Sequence, residues 1–408
     1  MMIEKKILLQ KQKQYEKECI ALRRRFHQIP EPGLEERETT ALIASLLEEH
    51  GIKSYPLEPT GLVAYLGAKE GYTVALRADI DGLLVEEETG AEYASRYPGR
   101  MHACGHDGHI AGLLGAAFLL KELEGELSVR VKLIFQPSEE NTLGAKKVIA
   151  QGVLEDVDEI FGLHLFSDME LGQYSVEAGP RMAQTDRFSI VFHGKGGHAG
   201  KPHQCVDATV MAAEFVLGLQ TAVSRETNPL KPAVVTVGSF HSGSQYNVIS
   251  GEAVVEGTCR SFHEDVAARL KTSIEERAKH IAACYGGKAE ITYDFGSHPP
   301  VINEKNLSES IKKEAQMLLG YEQAQVEPMM LGEDFSWYQK KVPGVFAFVG
   351  CHNPDQKECF PNHHPCFDID ERALKDAVLL HLSAVLSAQS RVEEERSFLK
   401  EKSKGKRE

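Results

Sequence analysis

Three histidines, a cysteine and an aspartate lie close together at His102-Ala103-Cys104-Gly105-His106-Asp107-Gly108-His109. Thiolate, imidazole and carboxylate are the donors that hold zinc and other first-row divalent ions. The small residues between them let a loop close round an ion. An apolar stretch, Ile110 to Leu120, follows directly and reads as a buried helix with the loop at its N-terminus. A polar loop with chance histidines does not account for that placement. Spacing alone does not say which members would touch an ion.

A second cluster is Glu139-Glu140, which follows an apolar run and Pro137. Adjacent carboxylates at a strand end can divide labour, one binding metal while the other takes a proton from an activated water. On a solvated helix the same pair would mean nothing. His164 stands alone among apolar residues, where a core histidine is the ordinary reading. His363-His364-Pro365 reads as a loop, where an exposed histidine pair is ordinary too. Both gain weight because the first two clusters need further nitrogen donors. The glycine-rich turn from Gly194 to His203 lacks the phosphate-loop pattern, so a nucleotide site is set aside. Its glycines could instead expose His198.

The surrounding pattern predicts the elements that must position these groups. A charged N-terminal helix runs into the turn at Ile29-Pro30-Glu31-Pro32-Gly33, and a helix over 38–49 follows, with Gly51 past its end. Strands are expected over 72–79, 128–135 and 158–165, with a helix over 142–150. Strands alternating with helices argue for an α/β sheet covered on both faces. In such sheets functional groups gather beyond the carboxyl ends of the strands, where Asp79, Asp81, Glu139, Glu140 and His164 fall. From about Arg187 to Tyr293 the order becomes strand, helix, strand, strand, helix, strand. The helices span 207–225 and 264–285 and the middle strands 233–240 and 248–258, a split βαβ pattern of ferredoxin-like type. The α/β pattern resumes with a strand over 342–350 and a long helix over 370–389. The expected divisions are a catalytic domain over 1–185 and 298–390, an inserted domain over 186–297, and a charged tail over 391–408 that is a solvated helix or disordered.

At 408 residues the chain is long enough for about two domains. Its net charge of −14 argues against a nucleic-acid partner. No segment approaches the roughly 18 uncharged apolar residues of a membrane span. The N-terminus lacks a secretory core, which points to the cytoplasm. The eight cysteines are scattered, as expected of reduced thiols rather than a disulfide framework.

Taken together, these segments resemble the aminoacylase and carboxypeptidase family of two-metal peptidases. The match looks closest to the amidohydrolase branch, which includes hippurate hydrolases, indole-acetyl-amino-acid hydrolases and bacterial N-acyl-amino-acid deacylases. The resemblance runs from Arg24-Arg25-Phe26-His27 and Pro30-Glu31-Pro32-Gly33 through Arg77-Ala78-Asp79-Ile80-Asp81 and the His102–His109 cluster. It continues through Gln136-Pro137-Ser138-Glu139-Glu140, Gly162-Leu163-His164 and Gly197-His198, and ends at Gly332-Glu333-Asp334-Phe335 and His363-His364-Pro365.

The resemblance implies an α/β two-metal exopeptidase-like catalytic domain with an inserted ferredoxin-like lid that mediates dimerisation. It implies Cys104, His106, Glu140, His164 and His363 as ligands of two divalent ions (Mn, Zn or Co). His363, rather than His364, fits the family's His-x-Pro register. It implies Glu139 as general base, His198 as a lid histidine reaching the partner subunit's active site, and Asn247 and Arg260 as holders of the substrate carboxylate. Related enzymes outside the branch carry His-x-Asp where this chain has Asp79-Ile80-Asp81, which leaves Asp79 outside the ligand set and gives Asp81 the task of orienting a ligand. Ser250 replaces a frequent proline. The expected activity is metal-dependent hydrolysis of N-acyl-L-amino acids by a homodimer or higher homo-oligomer. A dipeptidase or carboxypeptidase on the same scaffold, or a catalytically silent metal-binding homologue, is the alternative.

Overall fold

The structure is a computed structural model and describes residues 5–355 and 359–404. It forms two compact units. One comprises the described residues up to Gly179, Ile302–Glu327 and those from Asp334 onward, and the other comprises Pro180–Val301 and Pro328–Glu333.

The larger unit is built on a seven-stranded sheet. Its strands lie in the order Ser54–Pro56, Leu62–Gly67, Arg130–Gln136, Thr73–Asp79, Glu159–Glu170, Gly344–His352 and Tyr174–Ser175. The four inner strands run parallel and the outer ones antiparallel. Parallel strands are covered on both faces and so carry unbroken apolar runs. Thr73–Asp79 is accordingly buried at every position.

The helix His106–Glu122 is buried from His106 to Leu120. It packs against the helices Lys5–His27 and Ala373–Lys404 and against Thr73–Asp79. A helix apolar on all sides can only be a core element. Gly105 precedes it at φ 85°, a left-handed conformation that favours glycine, and turns the Cys104 loop onto the helix start. The helix Lys305–Leu319 is amphipathic and lays its apolar side on Ala373–Lys404. That last helix continues to Lys404. Residues 405–408 of the charged tail lie outside the described residues.

The smaller unit has a four-stranded antiparallel sheet in the order Ala233–Ser242, Glu252–Ser261, Gln184–His193 and Lys288–His298. Its helices are Ala208–Ser224 and Glu264–Cys284. Alternate residues of Gln184–His193, including Phe188, Ile190 and Phe192, face a core with Phe215, Leu219, Leu270 and Ile274. Strand sequence and sheet order together are those of a ferredoxin-like unit. The strand expected over 248–258 is broken in two. Val248–Ile249 pairs with Gly197–His198, and Glu252–Ser261 joins the main sheet. Ser250 and Gly251 form the break, where Ser250 Oγ donates to Glu252 O (2.6 Å) and Gly251 O accepts from Gly194 N (2.8 Å). Among the described residues no helix is long and apolar enough to cross a membrane.

Candidate metal centre and active site

Five side chains of the larger unit converge beyond the ends of its parallel strands. Cys104 Sγ lies 3.3 Å from His164 Nε2 and 3.3 Å from His363 Nε2. Glu140 Oε1 lies 3.3 Å from His363 Nε2 and 3.9 Å from His106 Nε2. Donor atoms of Cys104, His106 and His164 fall within 4.8 Å of one another, as do those of Cys104, Glu140 and His363. The two sets share Cys104, and His106 approaches the second through Glu140. His106 Nε2 and Glu140 Oε1 are buried without a well-aligned hydrogen-bond partner. Buried polar atoms are nearly always satisfied, so two orphans facing each other within a thiol–imidazole–carboxylate set fit divalent cations.

Local backbone makes this convergence possible. Glu139 and Glu140 sit on a tight loop between the strand Arg130–Gln136 and the helix Gly144–Ala150. Ser138 and Thr142 both take φ 57° in this loop. A Cβ on Gly144 would lie 1.7 Å from Pro137 O, so no larger residue fits there. The helix expected from Thr142 therefore begins two residues later. His363 takes φ 72°, and its amide donates to Ala103 O (2.7 Å). Such conformations cost about 1–3 kcal/mol each and persist only where the surroundings enforce them.

The histidine tautomers follow from the outer hydrogen bonds. His106 Nδ1 donates to Asp81 O (2.9 Å), and His164 Nδ1 donates to Leu165 O (2.9 Å). Each ring then points its Nε2 into the pocket, the atom left to bind metal once any proton on it is displaced. Asp81 Oδ2 accepts from Glu140 N (3.0 Å), so Asp81 braces both sides of the site. Burial lowers the basicity of His106, but Asp79, Asp81 and Glu140 outweigh it and raise its pKa to about 10. Burial and the neighbouring His109 hold His164 well below the usual imidazole range. Burial, with Glu140 and Glu139 nearby, pushes the Cys104 thiol well up.

Glu139 is buried beside this set, within 4.8 Å of His106 and Glu140 donor atoms, and its Oε1 accepts from Asp334 N (3.4 Å). The remaining members of the first cluster are committed elsewhere. His109 Nδ1 donates to Asp79 Oδ1 (2.6 Å), and its Nε2 accepts from Leu165 N (2.9 Å). The other oxygen of Asp79 accepts from Arg77 Nη1 (2.6 Å). Asp107 turns away to Arg23 Nε and His27 Nδ1, both at 2.7 Å. His102 is buried without a partner, and burial lowers its pKa to about 3.

His198, Asn247 and Arg260 belong to the smaller unit. His198 is exposed on its short strand opposite Val248, and its Nδ1 accepts from Gly200 N (3.0 Å), which leaves Nε2–H as a donor. Asn247 is exposed on the same tip, its main-chain oxygen bound to Ala199 N (3.1 Å). Arg260 is partly buried on Glu252–Ser261 and donates to Met330 O.

Residues 75–387 match Peptidase family M20/M25/M40. The chain belongs to this family. It is 42% identical over 372 residues to the N-acetyl-L-cysteine deacetylase of Bacillus subtilis, covering 90% of this chain and 88% of that protein. It is 42% identical over 369 residues to an IAA-amino acid hydrolase, ILR1-like 4, of Arabidopsis thaliana, covering 89% of this chain and 84% of that protein. A dinuclear metal binding peptidase of the M20 family from Bacillus subtilis has a similar structure, with TM-score 0.81 and 36% identity over 93% of this chain and 99% of that one.

In this M20 chain, sequence reasoning passed over several residues that shape the site. Asp334 accepts from Arg77 Nη2 (3.1 Å), Gln136 Nε2 (2.9 Å) and Ala145 N (2.9 Å), tying the Glu139 loop to the sheet. Asn362 joins the loop carrying His363 to the loop carrying Cys104 and to the strand carrying His164. Asp334 stood inside the Gly-Glu-Asp-Phe segment and Asn362 beside His363. Only the three-dimensional contacts reveal what either does.

Proposed function

We propose that this M20 chain is a metal-dependent amidohydrolase that cleaves the amide of N-acyl-L-amino acids. The observation that carries the reading is the convergence of Cys104, His106, Glu140, His164 and His363 beside the buried Glu139. Relatives named for deacetylation of N-acetyl-L-cysteine and for hydrolysis of IAA-amino acids support the substrate class.

Cys104, His106, Glu140, His164 and His363 would hold two divalent ions, with Mn, Zn or Co the candidates. Bound there, the ions supply Lewis acidity toward the carbonyl and lower the pKa of water. Glu139 accepts a proton from the attacking water as its oxygen bonds to the carbonyl carbon. Glu139 then gives that proton to the amide nitrogen as the C–N bond breaks, releasing a carboxylic acid and an amine. His198 Nε2–H serves the developing oxyanion, a role worth about 3–4 kcal/mol per donor. Asn247 and Arg260 hold the substrate carboxylate, Arg260 through paired hydrogen bonds. Asp81 keeps His106 and Glu140 in place. The ferredoxin-like unit acts as lid and dimer contact, and His198 works across a homodimer. We assign the chain to the reducing cytoplasm, where its eight free cysteines stay reduced.

Purified protein loaded with Mn, Co or Zn and given N-acetyl and N-benzoyl amino acids alongside free dipeptides tests this. The expected result is amide hydrolysis of the acylated substrates, lost on chelation and restored by metal. Hydrolysis confined to dipeptides would replace the reading with a dipeptidase.

A further inference from the structure

The segment that carries His363 has no helix or strand from residue 359 to 372. A single main-chain bond, from His363 N to Ala103 O (2.7 Å), rather than a backbone ladder holds His363, whose Nε2 lies 3.3 Å from Cys104 Sγ. One side chain takes the place of a ladder. Asn362 Nδ2 donates to Cys104 O (3.3 Å) and to Leu165 O (3.2 Å). Its Oδ1 accepts from Ser167 N (3.3 Å) and Ser167 Oγ (3.1 Å). An amide has two donor hydrogens and two acceptor lone pairs, and all four are used.

The partners are the ligand-bearing segments themselves. Cys104 offers its own carbonyl. Leu165 follows His164, and Leu165 O also receives the His164 Nδ1–H that leaves Nε2 bare. His363 is the next residue along, held at φ 72°.

We propose that Asn362 is a positioning residue that sets the mutual geometry of Cys104, His164 and His363. This rests on the reading of those residues as metal ligands. Outer contacts of this kind typically change metal affinity 10- to 100-fold when removed. Aspartate is nearly isosteric with Asn362 but lacks both donors, and it would set negative charge against Cys104 O and Leu165 O. Ser167→Ala is the gentler variant, since it removes only one of the four contacts.

The experiment measures Co²⁺ and Zn²⁺ affinity by competition with a chromophoric chelator, together with the cobalt absorption spectrum, for wild type, Asn362→Asp and Ser167→Ala. Asn362→Asp is expected to bind about 10- to 100-fold more weakly. Its thiolate-to-cobalt band should shift, and saturating metal should recover much of kcat. Ser167→Ala should shift affinity in the same direction by less than about tenfold. Wild-type affinity and spectrum in both variants would overturn the proposal, even if their thermal stability fell. A wild-type protein that bound no metal would instead remove the metal-centre reading itself.

Discussion

His106 and Asp81 are joined twice over. The imidazole Nδ1 donates to the main-chain oxygen of Asp81 at 2.9 Å and stands 3.3 Å from its carboxylate Oδ1. The other carboxylate oxygen holds the amide of Glu140. One residue thus aims two of the groups proposed to bind metal.

Asp81→Ala should therefore weaken metal binding by about 10- to 100-fold while leaving the fold intact. Chelator competition with circular dichroism as a fold control checks this. Unchanged affinity would remove Asp81 from any orienting role.

Glu139→Gln keeps the shape of the carboxylate and removes its basicity. Metal content by mass spectrometry should match wild type, while kcat falls by about 10²- to 10⁴-fold. A variant turning over at the wild-type rate would end the assignment of Glu139 as general base.

Mixing inactive Glu139→Ala and His198→Ala chains should restore activity if His198 serves the partner's site. Verified mixed dimers with no recovered turnover would place His198 in its own subunit's chemistry or in none.

Arg23 and Asp107 form an ion pair with both side chains fully buried. Removing Asp107 leaves the buried guanidinium with Asp368 Oδ1 (2.7 Å) as its remaining close carboxylate, at a cost of up to about 3–5 kcal/mol. Asp107→Ala should show a loss of that order in urea unfolding. The double variant Arg23→Leu/Asp107→Leu should lose less than the two single changes added together.

His381 is buried with neither ring nitrogen bonded, edge-on to Phe161 at 5.5 Å between ring centroids. Burial lowers its pKa to about 3. The unfolded chain takes up this proton near the ordinary value of about 6.5, the folded chain only near 3. Its share of stability is thus complete above pH ~6.5 and declines as pH falls toward 3, by up to about 1.4 kcal/mol per pH unit. His381→Leu should flatten the stability profile across that window in pH-dependent urea titrations. An unaltered slope would show that His381 is not among the groups driving acid unfolding.

The elements were readable where burial imposes a simple pattern. Thr73–Asp79 and Arg130–Gln136 are largely apolar stretches ended by polar residues, and the expected strands over 72–79 and 128–135 overlap them to within two residues. The pattern weakened where side-chain chemistry overrides periodicity. The left-handed turns at Ser138 and Thr142 delay the helix expected at 142, and the Ser250-Gly251 break splits a strand that reads as continuous. The last helix runs past 389 because its apolar stripe gives way to anchoring contacts such as Arg391 with Glu159. Donor types around the site were visible as motifs. Their division of labour was not: His106 and His109 both stand in the first turn of one helix, yet His109 is consumed by Asp79 and Leu165 N. Contacts such as Arg23 with Asp107 join residues far apart in the chain, and local pattern carries no trace of them.

The helix that begins at His106 is buried from its first residue to Leu120, so one of the groups proposed to hold the ions is anchored in the core of its unit. Occupancy and folding then draw on one equilibrium: free ion at a hundredfold excess over its Kd would add about 2.7 kcal/mol to the native state. A cell starved of the ion would hold this chain not merely idle but nearer to unfolding and to the proteases that clear unfolded protein.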